Sequence, residues 1–100
     1  MNILHITDTA TWNLAEVKGI YEMDALSDMG FIHCCLPGQE AGVLARWFQD
    51  TAGLLALEID PQKLKSRVIY ENLEGREELF PHIYGPINLD AVVAVRRIGA

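Results

Sequence analysis

Two short segments set a histidine among apolar residues, next to glycine or proline. They are Gly30-Phe31-Ile32-His33-Cys34-Cys35 and Phe80-Pro81-His82-Ile83-Tyr84-Gly85-Pro86. A histidine in a partly desolvated pocket can titrate near neutral pH, bind an anion or orient a substrate. The two segments are far apart in the sequence, so only folding can bring them together. We interpret them as two walls of one site.

Further side chains could complete such a site. His82 and Tyr84 lie two residues apart and share a face if their segment is extended. Glu71 ends a predicted strand, where a carboxylate could act as a general base or hold a histidine in one tautomer. His5, on the first predicted strand, is a candidate of the same kind. Gly85 would allow a ligand or another part of the backbone to approach closely.

Each of these residues also has a purely structural interpretation. His33 could be a buried histidine bonded to a backbone carbonyl, and Tyr84 could close the core through its ring. Glu71 could simply be a solvent-facing strand end. On this interpretation, His33→Ala and His82→Ala would each destabilise the domain by ~1–3 kcal/mol and affect no ligand.

Several common chemistries lack their sequence signatures. The chain contains no P-loop, no Gly-x-Gly-x-x-Gly and no Gly-x-Ser-x-Gly. It also lacks Cys-x-x-Cys and His-x-x-x-His spacings, so no metal site is predicted. Cys34 and Cys35 are the only cysteines. They are adjacent, a spacing that strains a disulfide, so both are predicted to be free thiols.

Composition and apolar patterning limit the binding partners and the cellular compartment that we expect for this protein. A net charge of -6 and a pI near 4.8 argue against non-specific binding to nucleic acid, which depends on Lys and Arg. No apolar run approaches the roughly 20 residues that span a bilayer, and the N-terminus lacks the features of a signal peptide. We therefore expect a cytosolic protein with no membrane partner, folded as one domain over residues 1–100.

Hydrophobic patterns predict an α+β domain rather than a regular βαβ repeat. Its compact, split, mixed or antiparallel sheet has about five or six strands, with two main helices in the first half of the chain. The segment 80–86 is predicted to be extended but irregular, because Pro81 and Pro86 lack a backbone donor. The remaining predicted strands are 3–6, 31–35, 54–59, 67–71 and a final buried strand at 91–95; the predicted helices are 10–18 and 39–49.

The motifs resemble a bacterial family catalogued as domain of unknown function 952. The resemblance is carried by Gly30-Phe31-Ile32-His33, Tyr70-Glu71 and Phe80-Pro81-His82-Ile83-Tyr84-Gly85, with Gln39 downstream of the first motif. Trp12, Ala15 and Asp60 also fit. Because the family is uncharacterised, this resemblance implies little about function.

The family's fold is similar to that of the ADP-ribosyltransferases, which hold NAD in a cleft. This similarity implies a role for His5 at their first-strand position and for His33 at their second. Their third position is a Glu or Gln on a late strand. The strand 91–95 has neither residue, and Glu71 lies on an earlier strand.

Three functional hypotheses follow. In the first, a histidine-lined cleft binds a nucleotide-like or other small anionic ligand through His5, His82, Tyr84 and Gln39, with His33 and Glu71 as candidate catalytic residues. In the second, the protein is an NAD-dependent ADP-ribosyl or related transferase that uses His33, His82, Tyr84 and Glu71. In the third, it is a structural or interaction protein with no ligand. The residues leave open whether the chain is an enzyme and what its oligomeric state is. They also leave the cofactor unknown, and NAD is suggested by fold analogy alone.

Overall fold

A computed structural model describes residues 1–23, 28–72 and 78–99. Its strands are β1 (Ile3–Asp8), β2 (Ile20–Tyr21), β3 (Ile32–His33), β4 (Leu54–Ile59), β5 (Arg67–Glu71), β6 (Phe80–Tyr84), β7 (Ile87–Asn88) and β8 (Val92–Arg97). Its two main helices are α1 (Thr9–Lys18) and α2 (Glu40–Trp47). The predicted α+β class with two main helices is confirmed, and the two-residue strands β2 and β7 add to the predicted set.

The strands form two three-stranded antiparallel sheets, β1-β4-β8 and β3-β6-β5, and a small β2-β7 pair. The two larger sheets meet where Leu4 pairs with Cys35. Each residue donates its backbone N–H to the carbonyl of the other, at 2.8 Å. This bridge makes the face of β3 that carries His33 continuous with the face of β1 that carries Leu4 and Ile6.

Helix α1 covers the opposite face of the first sheet. The Asp8 carboxylate accepts a hydrogen bond from the backbone N–H of Thr11 at 2.7 Å and so caps the helix start. Gly19 ends the helix in the left-handed conformation, with φ 80°. Between α1 and the sheets lies the core, formed by Ile3, Ala15, Tyr21, Ile32, Cys34, Leu57, Ile59, Ile83, Ile87 and Ala91.

The final strand differs from its prediction. The sequence 91–95 predicts a buried strand, but β8 pairs only with β4, lies at the edge of its sheet and is largely exposed. Val93 and Val95 are each more than two-fifths exposed. Apolar composition does not distinguish a central strand from an edge strand, because burial depends on the order of strands in the folded sheet.

Helix α2 is hydrogen-bonded to the edge strand β8. Its residue Glu40 accepts two hydrogen bonds from the Arg96 guanidinium of β8, at 2.7 and 3.1 Å. A turn before the helix holds Gln39, whose side-chain oxygen accepts from the backbone N–H of Leu36 at 2.9 Å. These contacts position α2 over the face of the first sheet that is continuous with His33.

No helix among the described residues is long and apolar enough to cross a membrane.

Candidate functional site

The segments around His33 and His82 lie side by side, because β3 and β6 are hydrogen-bonded neighbours. The register pairs His33 directly with His82. Their rings meet edge to face, with centroids 4.7 Å apart. The fold therefore brings together the two segments that the sequence predicts to be walls of one site.

Glu71 reaches His82 from the neighbouring strand β5. On β5 and β6, Ile69 pairs with His82 and Glu71 with Phe80, so Glu71 is a diagonal neighbour of His82 on the same face. The distance between His82 Nδ1 and Glu71 Oε1 is 2.9 Å. The Tyr84 hydroxyl donates a hydrogen bond to the same carboxylate oxygen. The Glu71 Oε1 atom thus accepts both hydrogen bonds.

Aromatic rings fix the orientation of His82. Phe31 stacks on its imidazole with centroids 4.2 Å apart and planes inclined by 19°. Phe31 also contacts Tyr84, at 5.3 Å between centroids. The His82 side chain is only 3% exposed, whereas that of Glu71 is 22% exposed. The carboxylate therefore lies between the buried imidazole and solvent, where a ligand could reach it.

Hydrogen bonding sets the protonation of this cluster. The bonds from Tyr84 and His82 lower the pKa of Glu71, and the bond to Glu71 raises the pKa of Tyr84. Glu71 is therefore an ionised acceptor at neutral pH, and His82 Nδ1 must carry the proton between them. A neutral His82 then has Nε2 as an acceptor, and a protonated His82 has Nε2–H as a donor.

His5 lies apart from this cluster in its contacts. Its Nδ1 donates to the backbone carbonyl of His33 at 2.7 Å, and its Nε2 lies 2.8 Å from the Tyr21 hydroxyl. That hydroxyl lies 2.9 Å from Thr7 Oγ1. Burial lowers the pKa of His5 to about 4. Both ring nitrogens are therefore engaged inside the protein, and the ring is neutral at pH 7.

Gln39 is also engaged by the protein itself. Its amide nitrogen donates to the backbone carbonyl of Leu79 at 3.0 Å and to the Glu78 carboxylate at 3.2 Å. Together with its bond to Leu36, these contacts fasten the turn before α2 to the start of β6. The structure thus brings His33, His82, Tyr84 and Glu71 together, and it places His5 and Gln39 in supporting positions.

The space predicted beside Gly85 is taken by the protein. A Cβ atom at this residue, which has φ 145°, would clash with Ser66 Oγ. The Ser66 hydroxyl donates to the carbonyl of Pro86 at 2.7 Å. The close approach that needs a glycine is therefore that of a serine side chain.

Both cysteines are free and buried. Burial raises the pKa of Cys35 to about 11 and that of Cys34 well above its usual value. Both are therefore thiols rather than thiolates at neutral pH, which is unlike an activated nucleophile. Within the described ranges 1–23, 28–72 and 78–99, no three His, Cys, Asp or Glu side chains converge as a metal ion would require.

Residues 6–95 match the family described as "Protein of unknown function (DUF952)". The chain belongs to the DUF952 family. Its motifs around His33, Glu71 and His82 all lie within the matched range. Family membership confirms the resemblance inferred from the motifs, and it assigns no activity.

Solved structures of protein CC0527 from Caulobacter crescentus, a structural genomics target, have the same fold. The crystal structure is 28% identical, with a TM-score of 0.84, over 97% of this chain and 85% of that one. The solution NMR structure is also 28% identical, with a TM-score of 0.79, over 97% and 84% of the two chains. A comparison with curated proteins finds no match.

The sequence suggests the polar members of this cluster but not their packing partner. Phe31 entered the sequence analysis only as an apolar neighbour of His33, whereas it stacks on His82 and contacts Tyr84. The spacing of Phe31 and His33 in the predicted strand 31–35 is the signal that could have revealed this, since residues two apart on a strand share a face.

Proposed function

We propose that this protein binds a small anionic, nucleotide-like ligand at the cluster of His33, Glu71, His82 and Tyr84. The observation that carries this proposal is the convergence of His82 Nδ1 and the Tyr84 hydroxyl on Glu71 Oε1. A partly exposed carboxylate that orients a buried imidazole is an arrangement found in binding and catalytic sites. We propose that the protein meets this ligand in the cytosol, which is the compartment expected from the sequence.

The charges of the cluster suit a ligand with two kinds of polar group. Hydroxyl groups can donate to the Glu71 carboxylate, while an anionic group can accept hydrogen bonds from imidazole N–H groups. Arg67, the exposed cross-strand partner of Tyr84, adds a positive charge on the same face. A phosphorylated ribose carries hydroxyls and anionic oxygens close together, so it is the chemical class that we favour.

A transferase remains a second candidate because the structure assembles all four residues that this hypothesis named. A carboxylate-held imidazole with a proton on Nδ1 can accept a proton on Nε2, as a general base does. The similarity to ADP-ribosyltransferases, and with it NAD as a cofactor, belongs to this candidate alone. Fold analogy supports it without identifying a reaction.

Calorimetric titration with ADP-ribose and with inorganic phosphate tests the binding proposal. Wild type should bind both saturably, and Glu71→Gln should weaken ADP-ribose binding roughly tenfold or more, because the charge-assisted bond from a ribose hydroxyl to the carboxylate is lost. Glu16→Gln makes the same change on the exposed surface of α1 and should leave binding unchanged. Absence of binding, or equal binding of ADP-ribose to wild type and Glu71→Gln, would contradict the proposal.

A parallel assay for nicotinamide release from NAD separates the two candidates. Release that disappears in Glu71→Gln would favour the transferase, whereas binding without release would favour a binding module. If His33→Ala and His82→Ala only destabilised the fold, and no ligand bound, the structural interpretation would replace both.

A further inference from the structure

Helix α2 leaves its apolar side chains incompletely packed. It contains no buried residue, although it is amphipathic and lies over the sheet. Trp47 is 52% exposed, and Val43 and Phe48 are half-buried. Leu4 and Ile6, which face the helix from β1, are buried. An apolar cavity of about 190 Å³ lies in this region, between the helix and the sheet.

The cavity is lined almost entirely by apolar groups. Its lining residues are Leu4, His5, Ile6, His33, Cys34, Cys35, Val43, Trp47 and Phe48. None of these described residues is Asp, Glu, Lys or Arg. Both thiols are protonated at neutral pH, and both ring nitrogens of His5 are bonded within the protein. A water molecule would be poorly stabilised in this cavity, because a buried water needs two or more hydrogen-bonding partners.

His33 connects this cavity to the anion cluster. His33 lines the cavity. The centroid of its ring lies 4.7 Å from that of the His82 ring and 5.7 Å from that of the Phe80 ring. A molecule that fills the cavity therefore ends beside the imidazoles. The cavity and the polar cluster are adjoining parts of one continuous face.

The volume matches a single ring. An apolar protein cavity of about 150 Å³ accepts benzene, so one of about 190 Å³ accommodates a phenyl-sized group. A purine would bring ring nitrogens and an amino group into these surroundings without partners, at a cost for each unsatisfied group. A hydrocarbon ring or short branched chain fits the lining better.

We propose that the ligand is an anion carrying one phenyl-sized apolar group, which enters the cavity beneath Val43 and Trp47 while its charged end binds at His33 and His82. This inference rests on the proposed function and narrows its ligand class. It places any nucleobase outside the cavity.

Phenyl phosphate and methyl phosphate test this inference, since their charged ends are alike. Wild type should bind phenyl phosphate roughly tenfold or more tightly than methyl phosphate, because only the ring gains apolar burial. Val43→Phe should fill the cavity and bring this ratio close to one. Val17→Phe makes the same change on α1, where Val17 is 85% exposed, and should preserve the ratio. Val43→Leu is the second variant, and it should reduce the ratio partway if Val43→Phe does not fold.

The outcomes separate this inference from the proposed function. If both esters bind equally well, the cavity proposal fails and the anion site stands. If neither ester binds, the proposed function fails, and this inference fails with it. Glu71→Gln should change the affinity for both esters by a similar factor, because it alters the charge beside His82 and lies outside the cavity lining. If it changes neither affinity, the charged end lies elsewhere and the inference is contradicted.

Discussion

Glu71 and His82 lie eleven residues apart and are joined by a 2.9 Å hydrogen bond between Oε1 and Nδ1. Adjacent antiparallel strands carry them, and the register places them as diagonal neighbours on one face. Because Tyr84 donates to the same oxygen, the carboxylate couples two side chains of β6. This coupling is the feature of the site that mutation tests most readily.

Tyr84→Phe should raise the pKa of Glu71. The Tyr84 hydroxyl is the largest cause that lowers this pKa, and phenylalanine removes it while keeping the ring against Phe31. Carbon-detected NMR of the Glu71 carboxyl across an acid titration measures the change. Tyr70→Phe alters a half-exposed ring on the opposite face of β5 and should leave the Glu71 curve where it is in wild type. Coincident curves for Tyr84→Phe and wild type would argue against the coupling.

Gly85→Ala should destabilise the fold by about 1–3 kcal/mol or more. The backbone conformation is one that L residues rarely adopt, and the new Cβ would clash with Ser66 Oγ. Gly42→Ala, within α2 and with open space where the new Cβ would lie, should instead stabilise the fold by about 0.5–1 kcal/mol. Urea unfolding of both variants gives the comparison. Equal midpoints in the two variants would contradict the assigned strain.

Stability should fall as pH is lowered from about 6.5 towards 4. The unfolded chain protonates His5 near its ordinary pKa of 6.5, whereas the folded chain does so only near pH 4. The unfolded state therefore binds more protons in this window, and the His5 contribution, about 3 kcal/mol, is progressively lost. The lowered pKa of Glu71 acts only below its ordinary value of 4.5.

Urea midpoints measured between pH 7 and pH 4.5 check the His5 effect. His5→Gln should lower stability at pH 7 but flatten the dependence across this window, because the variant has no imidazole there. A wild type that showed no pH dependence, or a variant with the same slope, would indicate that His5 does not remain neutral in the fold.

Cys34 and Cys35 should resist thiol reagents in the native protein at pH 8. Both are buried, and their raised pKa values leave little thiolate to react. Labelling by Ellman's reagent should be slow without denaturant and should reach two thiols per chain when the protein is unfolded in guanidinium. Rapid native labelling of either residue would show that the sheet around Leu4 and Cys35 opens readily.

The sequence predicted most of the fold because its strands alternate clearly and its helix ends have recognisable caps. Asp8 and Gly19 bound α1 as their residue types indicate. The sequence does not indicate which face of that helix is buried: Leu14 and Val17 are exposed, whereas Ala15 is buried and Trp12 packs against the core. A short helix contains too few apolar residues to define its buried face by spacing alone.

The proline segment shows how tertiary pairing can override local preference. The segment was predicted to be extended but irregular, and residues Phe80–Tyr84 form the regular central strand of the second sheet. The Pro81 carbonyl accepts from Cys34 N at 3.0 Å, on the β3 side. The N and C=O of one strand residue point to the same side, so the missing donor does not interrupt the pairing with β5. Sequence does not reveal which side of a strand such a residue faces.

For the candidate site as well, the sequence indicates some features and not others. Sequence identified His33, Glu71, His82 and Tyr84 because polar residues interrupt apolar strands there. It did not distinguish these residues from His5, whose bond to the His33 carbonyl is the structural role that had been considered for His33 itself. The cavity beneath Val43 and Trp47 was also beyond prediction, since their spacing is that of an ordinary packed pair.

An NMR titration of the three histidine rings with ADP-ribose and inorganic phosphate tests directly whether this cluster binds anions. We expect saturable shifts of His33 and His82 with a common dissociation constant. His5 serves as an internal control, and its ring signals should stay in place because both nitrogens are bonded within the protein. Unmoved His33 and His82 signals at saturating ligand, or shifts of His5 equal to theirs, would contradict an anion site at this cluster.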